Sequence, residues 1–344
     1  MNKDFLYTLL DTKSPSGYEY PLQEKICNYL KNTSEEVIKH HSGNVINIIN
    51  KDSNMKVMLS AHADEIGLMI TEIDSQGYCK LTSAGGVRPG SYVGQKVTVV
   101  TLDNKFVPGV IGVDKSSFDH KVEAKELFLD LGVDSKEEAS KPVKPGDYVI
   151  LDTTYKHLAN NRFTSRALDD KIGCFIISEA LRKAKEKNCK IGVYSLTSVG
   201  EETTMRGATF GPKIIKPNLA IIVDVTYTTD SHGVGTGEVY LGKGPVLCHS
   251  TIVNKELNRL LEESAKRLDI SLQYEIAVGR TGTDADKIFF TDDGIPCALI
   301  SIPLRYMHSP SEICDLKDVE QIIDLIADFL VNLNEEQELN PYLL

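Results

Sequence analysis

Five segments of this chain place metal-liking side chains where an apolar strand ends or a helix begins, and nothing else in the sequence constrains the fold as tightly. Val57-Met58-Leu59-Ser60-Ala61 runs into His62-Ala63-Asp64, and Tyr194 to Val199 runs into Gly200-Glu201-Glu202. Ile221-Ile222-Val223 meets Asp224, Ile300-Ser301-Ile302-Pro303 leads to His308, and Ala167-Leu168 opens on Asp169-Asp170. In an open α/β sheet, ligand sites form beyond the carboxyl ends of the parallel strands, so residues remote in sequence converge there. Two imidazoles and at least four carboxylates would then share one cleft. Like charges at such range force protonation or unfolding unless a cation holds them. A divalent metal is the economical solution.

With 344 residues, 41% of them hydrophobic, the chain supplies enough core for two domains or one large one. No apolar run reaches the roughly 18 residues that span a bilayer, and Met1-Asn2-Lys3-Asp4 lacks a signal-peptide pattern. The expectation is a soluble cytoplasmic protein with no membrane partner. The seven cysteines are scattered and never form Cys-x-x-Cys, which argues against a disulfide framework and against a thiolate metal site. They read as small core residues. The formal net charge is -11 with Lys and Arg dispersed, so no basic stripe is available to track nucleic acid.

Residues 1 to about 67 read as helix, helix, strand, strand. From Leu68 the texture changes to short alternating stretches, such as Leu68 to Asp74, Tyr78 to Thr82, Lys96 to Leu102, Phe106 to Val113 and Tyr148 to Asp152. Gly, Pro and Asp turns separate them, the signature of a small all-β barrel or sandwich. Ala124 to Leu131 is the best helix candidate within that region. After Arg166 the α/β rhythm returns. Helices are expected from Leu168 to Lys187, Asn254 to Leu268, after Thr283, and from Asp315 to Leu333. Strands are expected over Ile191 to Ser198, Leu219 to Val225, Ser271 to Val278 and Ala298 to Ile302. His62 precedes the β-rich stretch and every other candidate ligand follows it. Residues 1–67 and 163–344 are therefore expected to form one discontinuous catalytic domain, with 68–162 inserted as a β-barrel-like domain.

Each group also has a plainer reading when taken singly. His62 and Asp64 could be a surface pair, although a carboxylate beside a ligating imidazole is also how a tautomer is fixed. Asp169-Asp170 could simply cap a helix, and a loop residue such as His308 is commonly structural. Glu201-Glu202 resists that treatment, because two adjacent acids at the end of an apolar strand repel each other unless a cation or a function requires them. Asp224 follows four apolar residues that read as a central strand, so a casual surface charge is a poor account of it. Imidazole and carboxylate ligands suit Zn²⁺, Co²⁺ or Mn²⁺.

The ordered set of segments His62-Ala63-Asp64-Glu65-Ile66-Gly67, Ala167-Leu168-Asp169-Asp170-Lys171, Glu201-Glu202, Val223-Asp224-Val225-Thr226 and Pro303 to Pro310 resembles the tetrahedral (TET-type) aminopeptidases of metallopeptidase family forty-two, which includes glutamyl aminopeptidases. The resemblance spans nearly the whole chain. It implies a zinc-exopeptidase-like α/β fold, with a mixed central sheet flanked by helices and an inserted small all-β barrel. It also implies two divalent ions per subunit. Asp169 would bridge them, His62 and Asp224 would complete one site, and Glu202 and His308 the other. Glu201 would be the general base and Asp64 would orient His62. The Asp169–Asp170 peptide bond is often cis in such enzymes. Thr281-Gly282-Thr283-Asp284-Ala285 is similar to the family's substrate-cleft loop, while Thr283 or Asp284 reads equally as a helix N-cap. The activity implied is release of N-terminal residues from peptide substrates, by homo-oligomers in which dimers, formed through the inserted domain, build a dodecamer.

Three other readings compete. A glycosidase also uses paired carboxylates, and the family was once labelled endoglucanase, but two histidines would then be superfluous and the chain has no Trp to stack on sugars. A metal-dependent carboxypeptidase or deacylase would share the chemistry but take a different substrate end. A binding protein with structural metal would have no use for an extra carboxylate base.

Overall fold

The computed structural model describes residues 1–114, 121–231, 238–340 and 342–343. Within them the central sheet has eight strands, in the order Glu36–Lys39, Val45–Ile49, Gly192–Ser198, Lys56–His62, Leu219–Tyr227, Cys297–Leu304, Val246–Ser250 and Gln273–Ala277. The four strands from Gly192–Ser198 to Cys297–Leu304 run parallel. Antiparallel neighbours flank them on both sides, which makes the sheet mixed, as expected.

Continuous apolar runs form the middle strands because both sheet faces are covered. Val57, Leu59 and Ala61 pack into one core with helices Lys3–Asp11, Tyr20–Leu30, Leu168–Glu186, Lys255–Arg267 and Leu316–Asn332. Met58 points the other way, into a second core with helices Arg206–Ile215 and Ala285–Ile288. Each fully buried Leu or Ile contributes ~1.5–3 kcal/mol relative to exposure, and a slip of one residue would exchange the two faces. The register that lines up the strand ends is therefore firmly set.

A closed antiparallel barrel follows strand Lys56–His62 in sequence. Its strands are ordered Gly67–Ile73, Cys79–Ala84, Leu127–Asp130, Phe106–Val113, Lys96–Val100 and Tyr148–Leu151. The helix expected over Ala124 to Leu131 is not formed. A single 3-10 turn, Ala124–Glu126, leads into strand Leu127–Asp130, where burial alternates with a period of two and Leu127 and Leu129 enter the barrel core. That strand closes the barrel between Cys79–Ala84 and Phe106–Val113, and tertiary pairing outweighs local helix preference.

Several elements carry no clear sequence signal. Strand Glu36–Lys39 is an exposed edge, and helix Arg206–Ile215 contains Gly207, Gly211 and Pro212. A small three-stranded sheet joins Lys156–His157, Arg162–Ser165 and Glu312–Asp315, pairing Ser165 with Glu312 beside the start of helix Leu168–Glu186. Of the cysteines, Cys27 is half-buried and the others are buried, all of them free. Among the described residues, no helix is long and apolar enough to cross a membrane.

Candidate metal centre

The four parallel strands end on the same edge of the sheet, and the chemistry gathers there. In the ladder His62 lies opposite Ser198, from which the chain turns through Val199-Gly200 into Glu201 and Glu202. Asp224 lies opposite Ser301 in the next pair, whose second strand continues past Leu304 into the loop bearing His308.

Asp169 arrives from the helix side. Ala167 adopts the left-handed conformation (φ 52°), the Asp169–Asp170 peptide bond is cis, and neither aspartate has helical backbone angles. Asp170 acts as the true cap: its Oδ1 accepts the N–H of Gly173 at 3.1 Å and its Oδ2 that of His62 at 3.3 Å. The carboxylate of Asp170 thus ties helix to strand, and Asp169 is left to face the cleft. A Cβ on Gly173 would sit 2.2 Å from Asp170 Oδ1, so glycine is required by this close approach.

Asp169 presents one oxygen to each histidine. His62 Nε2 lies 3.0 Å from its Oδ1, and His308 Nε2 lies 3.1 Å from its Oδ2 and 3.4 Å from Glu202 Oε1. The ligand atoms of His62, Asp169 and Asp224 all fall within 4.8 Å of one another, and so do those of Asp169, Glu202 and His308. The far ring nitrogens are also engaged: His62 Nδ1 is 3.1 Å from Asp64 O, and His308 Nδ1 is 2.9 Å from Gly86 O. His62, Asp169, Glu202, Asp224 and His308, with Glu201, Met205, Tyr227 and Thr283, line a cleft of about 450 Å³. All seven residues singled out in the sequence, from His62 and Asp64 to His308, are therefore neighbours at one sheet edge.

The electrostatics are those of an acid cluster short of positive charge. Burial pushes Glu201 up to about 10, opposed by His62 and reinforced by Asp224, Asp284 and Glu202. Asp224 is raised well above the carboxylate range by burial and by Asp169, with His62 opposing. His308 is held up to about 12: burial disfavours its charge, but Asp169 and Glu202 favour it more. His62 is likewise raised against burial by Asp169 and Asp64. Protons thus do the neutralising that a dication could do better, and the mixed imidazole and carboxylate donors fit Zn²⁺, Co²⁺ or Mn²⁺.

Further residues complete the site, and of these the sequence alone does not mark Glu312 or Ser16. Glu312, buried on the small sheet, accepts the N–H of Asp169 at 3.1 Å and that of His308 at 2.8 Å. No periodic signal marks it, because its role depends on strand pairing. Ser16 donates to Asp64, whose two oxygens also accept the N–H groups of Glu201 and Glu202 at 3.0 and 3.2 Å. Behind the cleft, buried Glu65 accepts from Arg166 and from Lys171, the latter at 2.7 Å, while Lys171 also donates to Thr12 O. In the loop after Arg280, Thr283 Oγ1 accepts the N–H of Ala285 at 3.2 Å, whereas Asp284 makes no side-chain cap. The carboxylate of Asp284 instead turns inward and accepts from the hydroxyls of Ser198 and Ser60.

Along nearly its whole length the chain is similar to known peptidases. The lysyl aminopeptidase of Pyrococcus furiosus is 33% identical over 339 residues, covering 96% of this chain and 97% of the relative. The TET aminopeptidase of a marine-sediment Thaumarchaeota archaeon superposes with a TM-score of 0.90 at 29% identity, covering 96% of this chain and 97% of that one. The TET1 peptidase of Pyrococcus horikoshii, which can assemble into a tetrahedron or a large octahedral shell, gives a TM-score of 0.86 at 28% identity, covering 96% and 99%. Residues 43–325 match the family model described as M42 glutamyl aminopeptidase. A peptide hydrolase by descent and by fold, the chain belongs to the M42 glutamyl aminopeptidase family.

Proposed function

We propose that this aminopeptidase depends on two divalent ions, Zn²⁺ or Co²⁺ with Mn²⁺ also suited, and uses Glu201 as its general base. The observation that carries the reading is Asp169, whose two oxygens face His62 and His308 separately within two overlapping donor groups. His62, Asp169 and Asp224 would hold one ion, and Asp169, Glu202 and His308 the other. When bound, the ions supply a water acidified towards ~7 and positive charge for the scissile carbonyl oxygen.

The protein's own groups do the rest. Glu201 accepts the proton of the attacking water and returns it to the leaving amine. To do so at neutral pH it must ionise well below its metal-free value of about 10, which ties the base to a filled site. Asp64 holds His62 and the Glu201-Glu202 backbone in one arrangement. The acidic cleft suits the ammonium of a free N-terminus, and about 450 Å³ suits a residue or two of a peptide rather than a folded chain.

Glu201→Gln tests the assignment. Metal content should stay at the parent level while kcat on aminoacyl anilides falls by about 10²–10⁴; parent-like turnover would remove Glu201 from the mechanism. Acetylated peptides should resist the enzyme, and their cleavage would favour the deacylase or carboxypeptidase reading. We further propose that residues 1–67 and 163–344 act as the catalytic unit, with 68–162 the dimerising insert. The tetrahedron that the Pyrococcus horikoshii relative can form supports a dodecamer built from dimers, which light scattering on the purified chain would test.

A further inference from the structure

The barrel reaches the metal centre through the loop between strand Cys79–Ala84 and the 3-10 turn Pro89–Ser91. Gly86 O lies 2.9 Å from His308 Nδ1, and Gly86 itself lines the cleft. A Cβ on Gly86 would sit 2.6 Å from His308 Nδ1 and Cε1. At Gly85, where φ is +91°, it would sit 2.8 Å from Ile66 Cγ2 and 3.3 Å from Glu202 Cβ. Both positions need a residue without a side chain so that backbone can approach the ligands. Arg88 anchors the far end of the loop: its Nη2 donates to the Tyr227 hydroxyl at 2.9 Å and its guanidinium lies 5.8 Å from the ring centroid. Tyr227 also lines the cleft.

The two histidines are thus supported differently. His62 ends a central strand, is 2% exposed, and has its Nδ1 beside the carbonyl of Asp64 in the same segment. His308 stands on an irregular loop, is 22% exposed, and has its Nδ1 beside a carbonyl that belongs to the barrel. A ligating imidazole gives its second N–H to such an acceptor, which fixes the tautomer and ring orientation; removing the acceptor costs about 10–100-fold in metal affinity.

We infer that the barrel loop Gly85–Arg88 is a positioning element for one ion site only. The Gly86 carbonyl takes the Nδ1 proton of His308 and leaves Nε2 for the ion held with Asp169 and Glu202. Neither His62 nor Asp224 is hydrogen-bonded to this loop, which touches their side of the cleft only through Arg88 and Tyr227. The inference rests on the two-ion reading above, and its consequence is that disturbing the barrel empties the centre one ion at a time.

Co²⁺ titration of the chelator-stripped full-length chain, followed by calorimetry and visible absorption, tests this. The parent should take up two ions. Gly86→Ala should keep one at parent affinity and hold the other about 10–100-fold more weakly. Gly90→Ala, where a Cβ meets nothing within 4 Å, should match the parent. Arg88→Ala, which adds no atom, should weaken the same single ion by a smaller factor. The inference is overturned if Gly86→Ala binds both ions as the parent does, or weakens both equally. Should Gly86→Ala lose its cooperative unfolding transition, Arg88→Ala decides, and two ions at parent affinity there overturn it. A parent that takes up fewer than two Co²⁺ ions defeats the two-ion reading itself, whereas two ions in the parent with an unaltered Gly86→Ala defeats the loop's role alone.

Discussion

Asp64 accepts the backbone N–H of Glu201 through Oδ1 at 3.0 Å, and the same oxygen lies 3.5 Å from His62 Nδ1. One carboxylate therefore registers an imidazole against the loop that carries the proposed base. Its pKa is lowered despite burial, chiefly by His62 and with help from Ser16, so it is an acceptor throughout the working pH range.

Asp64→Asn should separate those duties. An amide has one accepting oxygen where the carboxylate has two, so it cannot serve Glu201, Glu202, His62 and Ser16 together. Metal affinity should fall by about 10–100-fold, read by competition with a chromogenic chelator, and kcat should fall even when metal is saturating. Unchanged affinity and turnover would show that Asp64 only caps the loop.

Metal uptake should expel protons. Around pH 7 the metal-free cleft keeps them on Glu201 (about 10) and His308 (about 12), and the folded values of His62 and Asp224 are raised in the same direction. Ligands must shed those protons to bind a cation, so affinity should rise with pH. Calorimetric titration in buffers of different ionisation enthalpy measures the release directly. Affinity that fell as pH rose would contradict this charge arrangement.

Glu65→Gln should destabilise the fold by about 3–5 kcal/mol, because it leaves buried Arg166 and Lys171 without their anion. Lys171, already lowered to about 7 by burial, would drop further without Glu65. Urea unfolding of the metal-saturated and chelated chain gives the number. A change under 1 kcal/mol would mean that the network relaxes to other partners, on the order of an exposed pair.

Gly173→Ala makes a prediction opposite in sign to helix propensity. Alanine is favoured over glycine inside a helix by ~1 kcal/mol, yet its Cβ would collide with the Asp170 carboxylate that caps this one. The variant should lose at least ~1 kcal/mol of stability, seen as a lower Tm. A higher Tm would mean that Asp170 is free to move aside.

The sequence revealed what depends on pattern and concealed what depends on pairing. His62, Glu201, Glu202 and Asp224 stand at the ends of long apolar runs, and runs buried on both faces can only be central strands, so their convergence was legible. Asp169 and His308 were less marked and gained their meaning from the ordered set of motifs. Glu312 was invisible because a four-residue strand against Arg162–Ser165 brings it to the site. Gly86 was invisible because a carbonyl carries its contact. Ala124 to Leu131 reads as helix in the sequence because a strand as short as Leu127–Asp130 shows its period only when a neighbouring strand imposes it.

The order of strands in the central sheet also bears on when the proposed centre can first assemble. His62 leaves the ribosome early, yet the strand that bears it pairs with Gly192–Ser198 and Leu219–Tyr227, which emerge only after the whole barrel has been made. His308 comes later still. The two-ion centre proposed above therefore stays incomplete until the segment bearing His308 has been made, so hydrolysis through it would begin in one late step.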